Sequence, residues 1–165
     1  MNATSTRPDI GDAFPGHALE TPDGGSVSIA DFAGKPAVLF FYPKDNTPGC
    51  TNEAKDFSAL KPEFDKAGIA LLGVSKDPPK SHVKFIEKQE LTVPLASDTA
   101  PDSGKVGLAE ALGIWTEKNM YGRTYMGMER TTFLVKGDGT IGQVWRKVKV
   151  KGHAEAVLEA AKALD

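Results

Sequence analysis

The chain has 165 residues, enough for one domain with a substantial hydrophobic core, and we predict a single domain over residues 1–165. Hydrophobic residues make up 40% of the chain and charged residues 25%, which is ordinary for a globular protein. The formal net charge of −2 provides no long-range attraction to nucleic acid or to an anionic membrane, so we expect neither as a partner.

The N-terminal segment gives no sign of export. Residues 1–12 are polar and lack the apolar core of a secretory signal. No apolar run in the chain approaches the roughly 20 residues that a membrane span needs. These features predict a cytoplasmic protein.

Strand and helix patterns alternate along the chain, which predicts an α/β fold. Residues 18–20 and 26–29 flank a turn sequence at residues 22–25 (PDGG) and predict an N-terminal β-hairpin. Residues 37–42 (AVLFFY) form a continuous apolar run, which is typical of a central strand buried on both faces. Pro43 should end this strand, because proline has no N–H for the sheet.

A helix should follow this first buried strand. Thr47 is a favourable N-cap and Pro48 a favourable first helical residue, so we predict a helix from this point to about Ala67. Cys50 would then lie in its first turn. Residues 69–75 predict a second buried strand.

The next predicted helix covers residues 79–89, with Val83 and Ile86 on its inner side. Residues 93–96 are a weaker strand candidate, and a short helix is expected around residues 106–112.

The C-terminal part predicts a hairpin and a final helix. The hairpin pairs residues 131–135 with residues 140–150 about the turn at residues 137–139, and the helix covers residues 153–164. Parallel strands joined by helices, followed by an antiparallel hairpin, predict a mixed sheet covered by helices on both faces.

The chain contains one cysteine, Cys50, so it can form neither an internal disulfide nor a Cys-x-x-Cys pair. Free cysteines are often small buried hydrophobic residues, and composition leaves that alternative open. The predicted position favours a reactive thiol, because ligands meet open α/β sheets beyond the carboxyl ends of strands. The N–H groups and dipole of a helix N-terminus are expected to lower the thiol pKa from its usual value of about 8.5.

Residues 42–54 (YPKDNTPGCTNEA) resemble the active-site segment of peroxiredoxins, whose signature is Pro-x-x-x-Thr-x-x-Cys. The resemblance is to the bacterioferritin comigratory protein, or peroxiredoxin Q, group in particular. It continues through Gly73-Val74-Ser75, Ser81-His82-x-x-Phe85, Gly122-Arg123, Arg130-Thr131-Thr132-Phe133-Leu134-Val135 and Lys151-Gly152-His153. This resemblance implies a thioredoxin-like fold and a thiol peroxidase activity.

The resemblance implies that Cys50 is the peroxidatic nucleophile, that Thr47 and Arg130 complete the site, and that Pro43 screens it from water. A hydroxyl can orient a peroxide, and a guanidinium can stabilise the thiolate and the charge on the breaking O–O bond. The alternative for Thr47 is that it is only an N-cap, and this is compatible with a role in the site. The alternative for Arg130 is a solvated charge at a strand start, which its residue type alone favours and which only the family resemblance reverses. Glu53 either holds an arginine in place or is an exposed helix glutamate.

Many members of the group carry a resolving cysteine five residues after the peroxidatic one, and that position here is Lys55. We therefore predict a one-cysteine peroxidase that needs no cofactor and is reduced by an external thiol such as thioredoxin, glutaredoxin or a small thiol. The expected assembly is a monomer or weak dimer. One alternative is a thiol–disulfide oxidoreductase, which lacks a second sulfur because Thr47 stands at its position. The other is a redox sensor that is oxidised at Cys50 without multiple turnover.

Three further sequence patterns do not indicate a binding site. Residues 137–142 match G-x-G-x-x-G but run into a strand, so we predict a hairpin turn. His17, His82 and His153 lack metal-ligand spacing, so we predict no metal and expect solvent-facing or hydrogen-bonded side chains. Residues 146–151 alternate basic and apolar residues, which predicts a strand with one solvated face.

Overall fold

The protein is described by a computed structural model, in which residues 7–99 and 107–164 are placed. The strands of these residues are β1 (Leu19–Glu20), β2 (Ser26–Val27), β3 (Ala37–Phe41), β4 (Ala70–Ser75), β5 (Leu95–Ser97), β6 (Trp115–Met120), β7 (Arg123–Met128), β8 (Thr131–Val135) and β9 (Ile141–Trp145). The helices are α1 (Pro48–Lys66), α2 (Pro79–Gln89), α3 (Leu108–Ala111) and α4 (His153–Lys162), with a short 3₁₀ helix over Ile29–Phe32. No helix of the described ranges is long and apolar enough to cross a membrane.

A seven-stranded mixed sheet forms the centre of the molecule, with the strand order β2-β1-β5-β4-β3-β8-β9. Strand β3 pairs in parallel with β4, with Ala37 opposite Ala70. On its other side β3 pairs antiparallel with β8, and Phe41 lies opposite Thr131. This register places the residue before β8 at the carboxyl end of β3.

The apolar run in β3 is buried because both faces of the sheet are covered. Val38 and Phe40 face a core made with α1, α2 and α4, where the rings of Phe40 and Phe57 stack at 4.4 Å. Leu39 and Phe41 face a second core that includes α3. The predicted thioredoxin-like fold, with a mixed sheet between helices and an N-terminal hairpin, is confirmed.

Helix α2 has the predicted bounds but a different inner face. Val83 is 37% exposed, whereas His82 and Phe85 are buried, so the prediction of an inward Val83 is wrong. Ile86 is partly buried and packs against the core, as predicted. The helix turns a histidine inward because hydrogen bonds satisfy both nitrogens of its ring.

The predicted strand over residues 146–151 is also wrong, since β9 ends at Trp145. Lys147 has a left-handed backbone with φ of 49°, which interrupts an extended strand. Arg146 turns back to donate to the carbonyl of Pro8 at 2.9 Å. The turn at residues 137–139 that precedes β9 is formed as predicted.

The hairpin of β6 and β7 was not predicted from the sequence. It forms a separate two-stranded sheet, and much of its surface is exposed. Exposed strands do not need a continuous apolar run, so the sequence carries no such signal here. Its turn residues Tyr121 and Gly122 both have positive φ, 54° and 77°, as a two-residue turn of type I′ requires. The short helix expected around residues 106–112 is present as α3, although residue 106 itself lies outside the described residues.

Candidate active site

Cys50 lies in the first turn of α1, beyond the carboxyl end of β3. Thr47 occupies the N-cap in an extended conformation and Pro48 is the first helical residue, as the sequence predicts. The Cys50 side chain is only 1% exposed. Burial alone would fit a structural cysteine, so the assignment depends on which groups contact the sulfur.

Arg130 contacts the sulfur directly. Its Nη2 donates to Cys50 Sγ at 3.3 Å, and its Nη1 donates to Glu53 Oε1 at 2.7 Å. The guanidinium reaches this position because Arg130 immediately precedes β8, whose first residue lies opposite the end of β3. The side chain of Arg130 is 17% exposed and that of Glu53 is 1% exposed. The alternatives of a solvated arginine and an exposed glutamate are therefore wrong.

Gly49 leaves the space through which the guanidinium approaches. A Cβ added at this position would lie 3.1 Å from Arg130 Nη2, closer than most Cβ atoms come to a neighbour. No local sequence pattern predicts this contact at Gly49, because only the tertiary structure brings Arg130 beside it. A glycine directly before a cysteine in the first turn of a helix is the signal that could have suggested a close approach.

The ion pair of Glu53 and Arg130 lies largely out of water. Burial raises the pKa of Glu53 to about 7, although Arg130 acts in the opposite direction. Among the described residues none hydrogen-bonds Glu53 Oε2, so half of this carboxyl group is unsolvated. Burial alone would lower the pKa of Arg130, but Glu53 and Cys50 raise it overall. The sulfur therefore faces a permanent positive charge.

Thr47 and Pro43 lie on the segment that leads from β3 to α1. Thr47 Oγ1 donates to the carbonyl of Lys44 at 2.9 Å, and no helix N–H is capped by this side chain. With its hydrogen engaged, the hydroxyl can still accept a hydrogen bond through its lone pairs. Pro43 is half-buried and lines a cavity of about 390 Å³ together with Trp115, Tyr125 and other residues of the β6–β7 hairpin.

His153 lies near the site but carries no charge at neutral pH. Its Nε2 is 2.8 Å from Thr132 Oγ1, and burial, together with the charge of Arg130, lowers its pKa to about 4. Like His82, it is hydrogen-bonded, as expected, whereas His17 is partly exposed.

The structure thus brings Arg130 into direct contact with both Cys50 and Glu53 at the carboxyl end of the central strand. Thr47 stands at the N-cap of the same helix, and Pro43 lies on the loop before it. A buried thiol beside a fixed guanidinium on a thioredoxin-like sheet defines the class of thioredoxin-fold thiol peroxidases.

Comparison with known proteins agrees with this class. Residues 10–144 match the model of the AhpC/TSA family. Peroxiredoxin Bcp of Xanthomonas campestris is 51% identical over 145 residues, covering 88% of each chain. A solved structure of Xylella fastidiosa PrxQ, in a cysteine-to-serine variant, has a TM-score of 0.86 at 40% identity and covers 96% of this chain and 98% of its own.

A solved structure of the Xanthomonas campestris bacterioferritin comigratory protein, described in connection with its alkyl peroxide reduction activity, has a TM-score of 0.81 at 49% identity. The alignment covers 89% of this chain and 90% of that one. The present chain belongs to the AhpC/TSA family, in its Bcp or peroxiredoxin Q group, and is a thiol peroxidase.

Proposed function

We propose that the protein reduces hydrogen peroxide and organic hydroperoxides through Cys50 and that an external thiol completes each cycle. One observation carries this proposal. Arg130 Nη2 donates to the sulfur of Cys50, the single cysteine of the sequence, while Nη1 of the same guanidinium donates to the buried Glu53 carboxylate. A structural cysteine in an apolar core would have no need of a guanidinium at hydrogen-bond distance.

The first step forms one bond and breaks one. The Cys50 thiolate attacks the terminal oxygen of the hydroperoxide, an S–O bond forms, and the O–O bond breaks. The leaving oxygen takes up a proton and departs as water or an alcohol, which leaves Cys50 as a sulfenic acid. Arg130 stabilises the negative charge that moves from sulfur to oxygen, and Thr47 accepts a hydrogen bond from the peroxide.

The second half of the cycle requires a thiol from another molecule. That thiol condenses with the sulfenic acid to release water and form a mixed disulfide, and a second thiol then restores Cys50. Lys55, at the position five residues after Cys50, is an exposed lysine on α1. Solved variants of the Xanthomonas relative replace either of two cysteines by serine, whereas this chain has a single cysteine.

Organic hydroperoxides are proposed as substrates on two grounds. The Xanthomonas relative is described as reducing alkyl peroxide. In this chain Pro43, on the loop before Thr47, lines a cavity whose apolar wall includes Trp115, Tyr125 and Met128 and whose rim carries charged side chains such as Lys44 and Asp77. We propose that the apolar wall receives the organic substituent. For the reductant we propose thioredoxin, glutaredoxin or a small thiol, supplied in a cytoplasmic location, and for the assembly a monomer or weak dimer.

Steady-state peroxide consumption tests this function. The protein should consume many equivalents of peroxide per chain when a thiol reductant is supplied, and Cys50→Ser should consume none. Asp65→Asn, an exposed change on the same helix, is the matched control and should keep full activity. Consumption that stops at one equivalent with every reductant would favour the sensor over the enzyme, and activity retained by Cys50→Ser would exclude Cys50 as the nucleophile.

A further inference from the structure

A buried cluster of polar side chains lies beside the loop that precedes Thr47. Asp45 Oδ1 accepts a hydrogen bond from the Tyr42 hydroxyl at 2.6 Å, and Asp45 Oδ2 accepts one from Ser81 Oγ at 2.7 Å. Nδ1 of His82 is 2.8 Å from the same Oδ2. Asp45 is 7% exposed and His82 is fully buried. Two of these residues, Ser81 and His82, belong to the Ser81-His82-x-x-Phe85 motif that the thiol chemistry leaves unexplained.

The hydrogen-bond partners of His82 determine how many protons its ring carries. Nε2 is 2.9 Å from the carbonyl oxygen of Ala96 in β5, and Nδ1 faces the carboxylate of Asp45. A carbonyl and a carboxylate are both acceptors, so both ring nitrogens have to donate. A neutral imidazole has one N–H, and only the imidazolium has two.

The other groups of the cluster support this charge state. Burial alone would raise the pKa of Asp45, but the contacts from His82, Tyr42 and Ser81 lower it, so Asp45 is a carboxylate. Burial, together with the charges of Asp45 and Asp77, raises the pKa of Tyr42, so its hydroxyl remains a donor. Tyr42 also lies 3.4 Å from His82 Nδ1, but its hydrogen is engaged in the shorter bond to Asp45. Three donors thus converge on one carboxylate.

These contacts fix the loop of residues 43–47 to the body of the molecule. The backbone N–H of Asp45 donates to Asp77 Oδ2 at 2.8 Å, and Gln89 Nε2 of α2 donates to Asn46 Oδ1 at 3.3 Å. Asn46 has a left-handed backbone with φ of 64°, a region that asparagine tolerates better than most residues and that is kept in place here by the surrounding contacts. The next residue is Thr47, so the position of this loop sets the position of the peroxide-binding hydroxyl.

We propose that His82 is a positioning residue for peroxide reduction, because it forms with Asp45 a buried imidazolium–carboxylate pair that holds the loop of residues 43–47 in its reactive conformation. The proposal rests on the proposed function in one respect, namely that Thr47 binds the peroxide. The pair joins α2, β5 and the loop, and a neutral imidazole at position 82 would leave one of the two acceptors without its donor.

Nuclear magnetic resonance of protein labelled with ¹⁵N-histidine tests the charge state directly. At pH 7.5 both ring nitrogens of His82 should give the shifts and N–H couplings of an imidazolium. His153 is an internal reference and should be neutral at this pH, because its pKa is lowered to about 4. Signals are assigned from His82→Gln and His17→Gln. A neutral His82 with one ring N–H would overturn the proposal, whether or not the protein consumes peroxide.

Kinetics test the positioning role. His82→Gln and Asp45→Asn should lower the rate constant for Cys50 oxidation by peroxide between about tenfold and a hundredfold, because a peroxide site displaced by a fraction of an ångström reacts poorly. Alkylation of Cys50 by iodoacetamide needs no oriented peroxide, and its rate should stay the same or rise as the loop loosens. In Asp45→Asn the ring of His82 should also lose one of its two N–H signals.

His17→Gln is the matched control and should leave both rates unchanged, since His17 is partly exposed and lies outside the cluster. An unchanged oxidation rate in His82→Gln, or an equal fall in oxidation and alkylation, would overturn the positioning role. A wild-type protein that fails to consume peroxide would instead refute the proposed function and leave the measured charge state of His82 standing.

Discussion

Replacement of Glu53 by glutamine should change how folding stability depends on pH. In the native state the carboxyl group is buried beside Arg130, and burial raises its pKa from 4.5 to about 7. The native state therefore binds this proton more tightly than the unfolded state does. Protonated Glu53 contributes its full stability below pH 4.5, and that contribution is lost as the pH rises through about 7. The loss corresponds to about 3 kcal/mol of unfolding free energy.

Glutamine keeps an oxygen that can accept from Arg130 Nη1 but has no proton to lose. The unfolding free energy of Glu53→Gln relative to wild type should therefore increase by about 3 kcal/mol between pH 4.5 and pH 8. Urea unfolding at a series of pH values, followed by the fluorescence of Trp115 and Trp145, measures this difference.

The pH dependence of the wild-type unfolding free energy does not isolate the effect of Glu53, because the titration of His153 changes this free energy in the opposite direction. Burial lowers its pKa from 6.5 to about 4, so this histidine destabilises the native state at low pH and ceases to do so as the pH rises through that range. His153 is present in both proteins, so its effect cancels in the difference. Parallel pH curves for wild type and Glu53→Gln would refute the conclusion that the carboxyl group of Glu53 is desolvated in the native state.

Three further changes test the geometry around the sulfur. Arg130→Lys should slow peroxide oxidation of Cys50 in stopped-flow measurements, because an ammonium group cannot donate to the sulfur and to a carboxylate from one planar group as a guanidinium does. Arg146→Lys is the control. Equal oxidation rates for the two variants would remove Arg130 from the mechanism. Gly49→Ala should also slow oxidation, since its Cβ would lie 3.1 Å from Arg130 Nη2, while helix propensity should keep the protein as stable or make it more stable by up to about 1 kcal/mol. An unaltered rate would mean that the guanidinium has room to shift. Lys55→Cys should form an internal disulfide after peroxide treatment if the start of α1 unwinds, because residues five apart on an intact helix do not face each other. Intact mass would show the loss of two hydrogens, and retention of a sulfenic acid would show that the helix stays closed.

The elements around the site were predictable because their signals are local. The apolar run of β3 and the Thr47-Pro48 helix start each depend on a few neighbouring residues, and the structure has both. The strand pattern after Trp145 was misleading, since the alternation of lysine and valine does not reveal the left-handed backbone at Lys147.

The partners within the site were less predictable because they are distant in the sequence. Arg130 reaches Cys50 only through the pairing of β8 with β3, and its sequence surroundings are those of any charged residue at a strand start. Only the family resemblance suggested its role. The inward position of His82 was not predictable for the same reason. Its hydrogen-bond acceptors belong to Asp45 and Ala96, which no local sequence pattern connects to it.

The most direct test of the central claim is the intact mass of the protein after a small excess of peroxide without added thiol. The wild-type monomer should gain one oxygen that reacts with dimedone, a reagent selective for sulfenic acids, and more peroxide should convert it to the sulfinic acid. Cys50→Ser, which retains the four methionines of the chain, should give no dimedone adduct. A wild type that stays fully reduced, or that is recovered only as dimers linked through Cys50, would contradict a one-cysteine cycle.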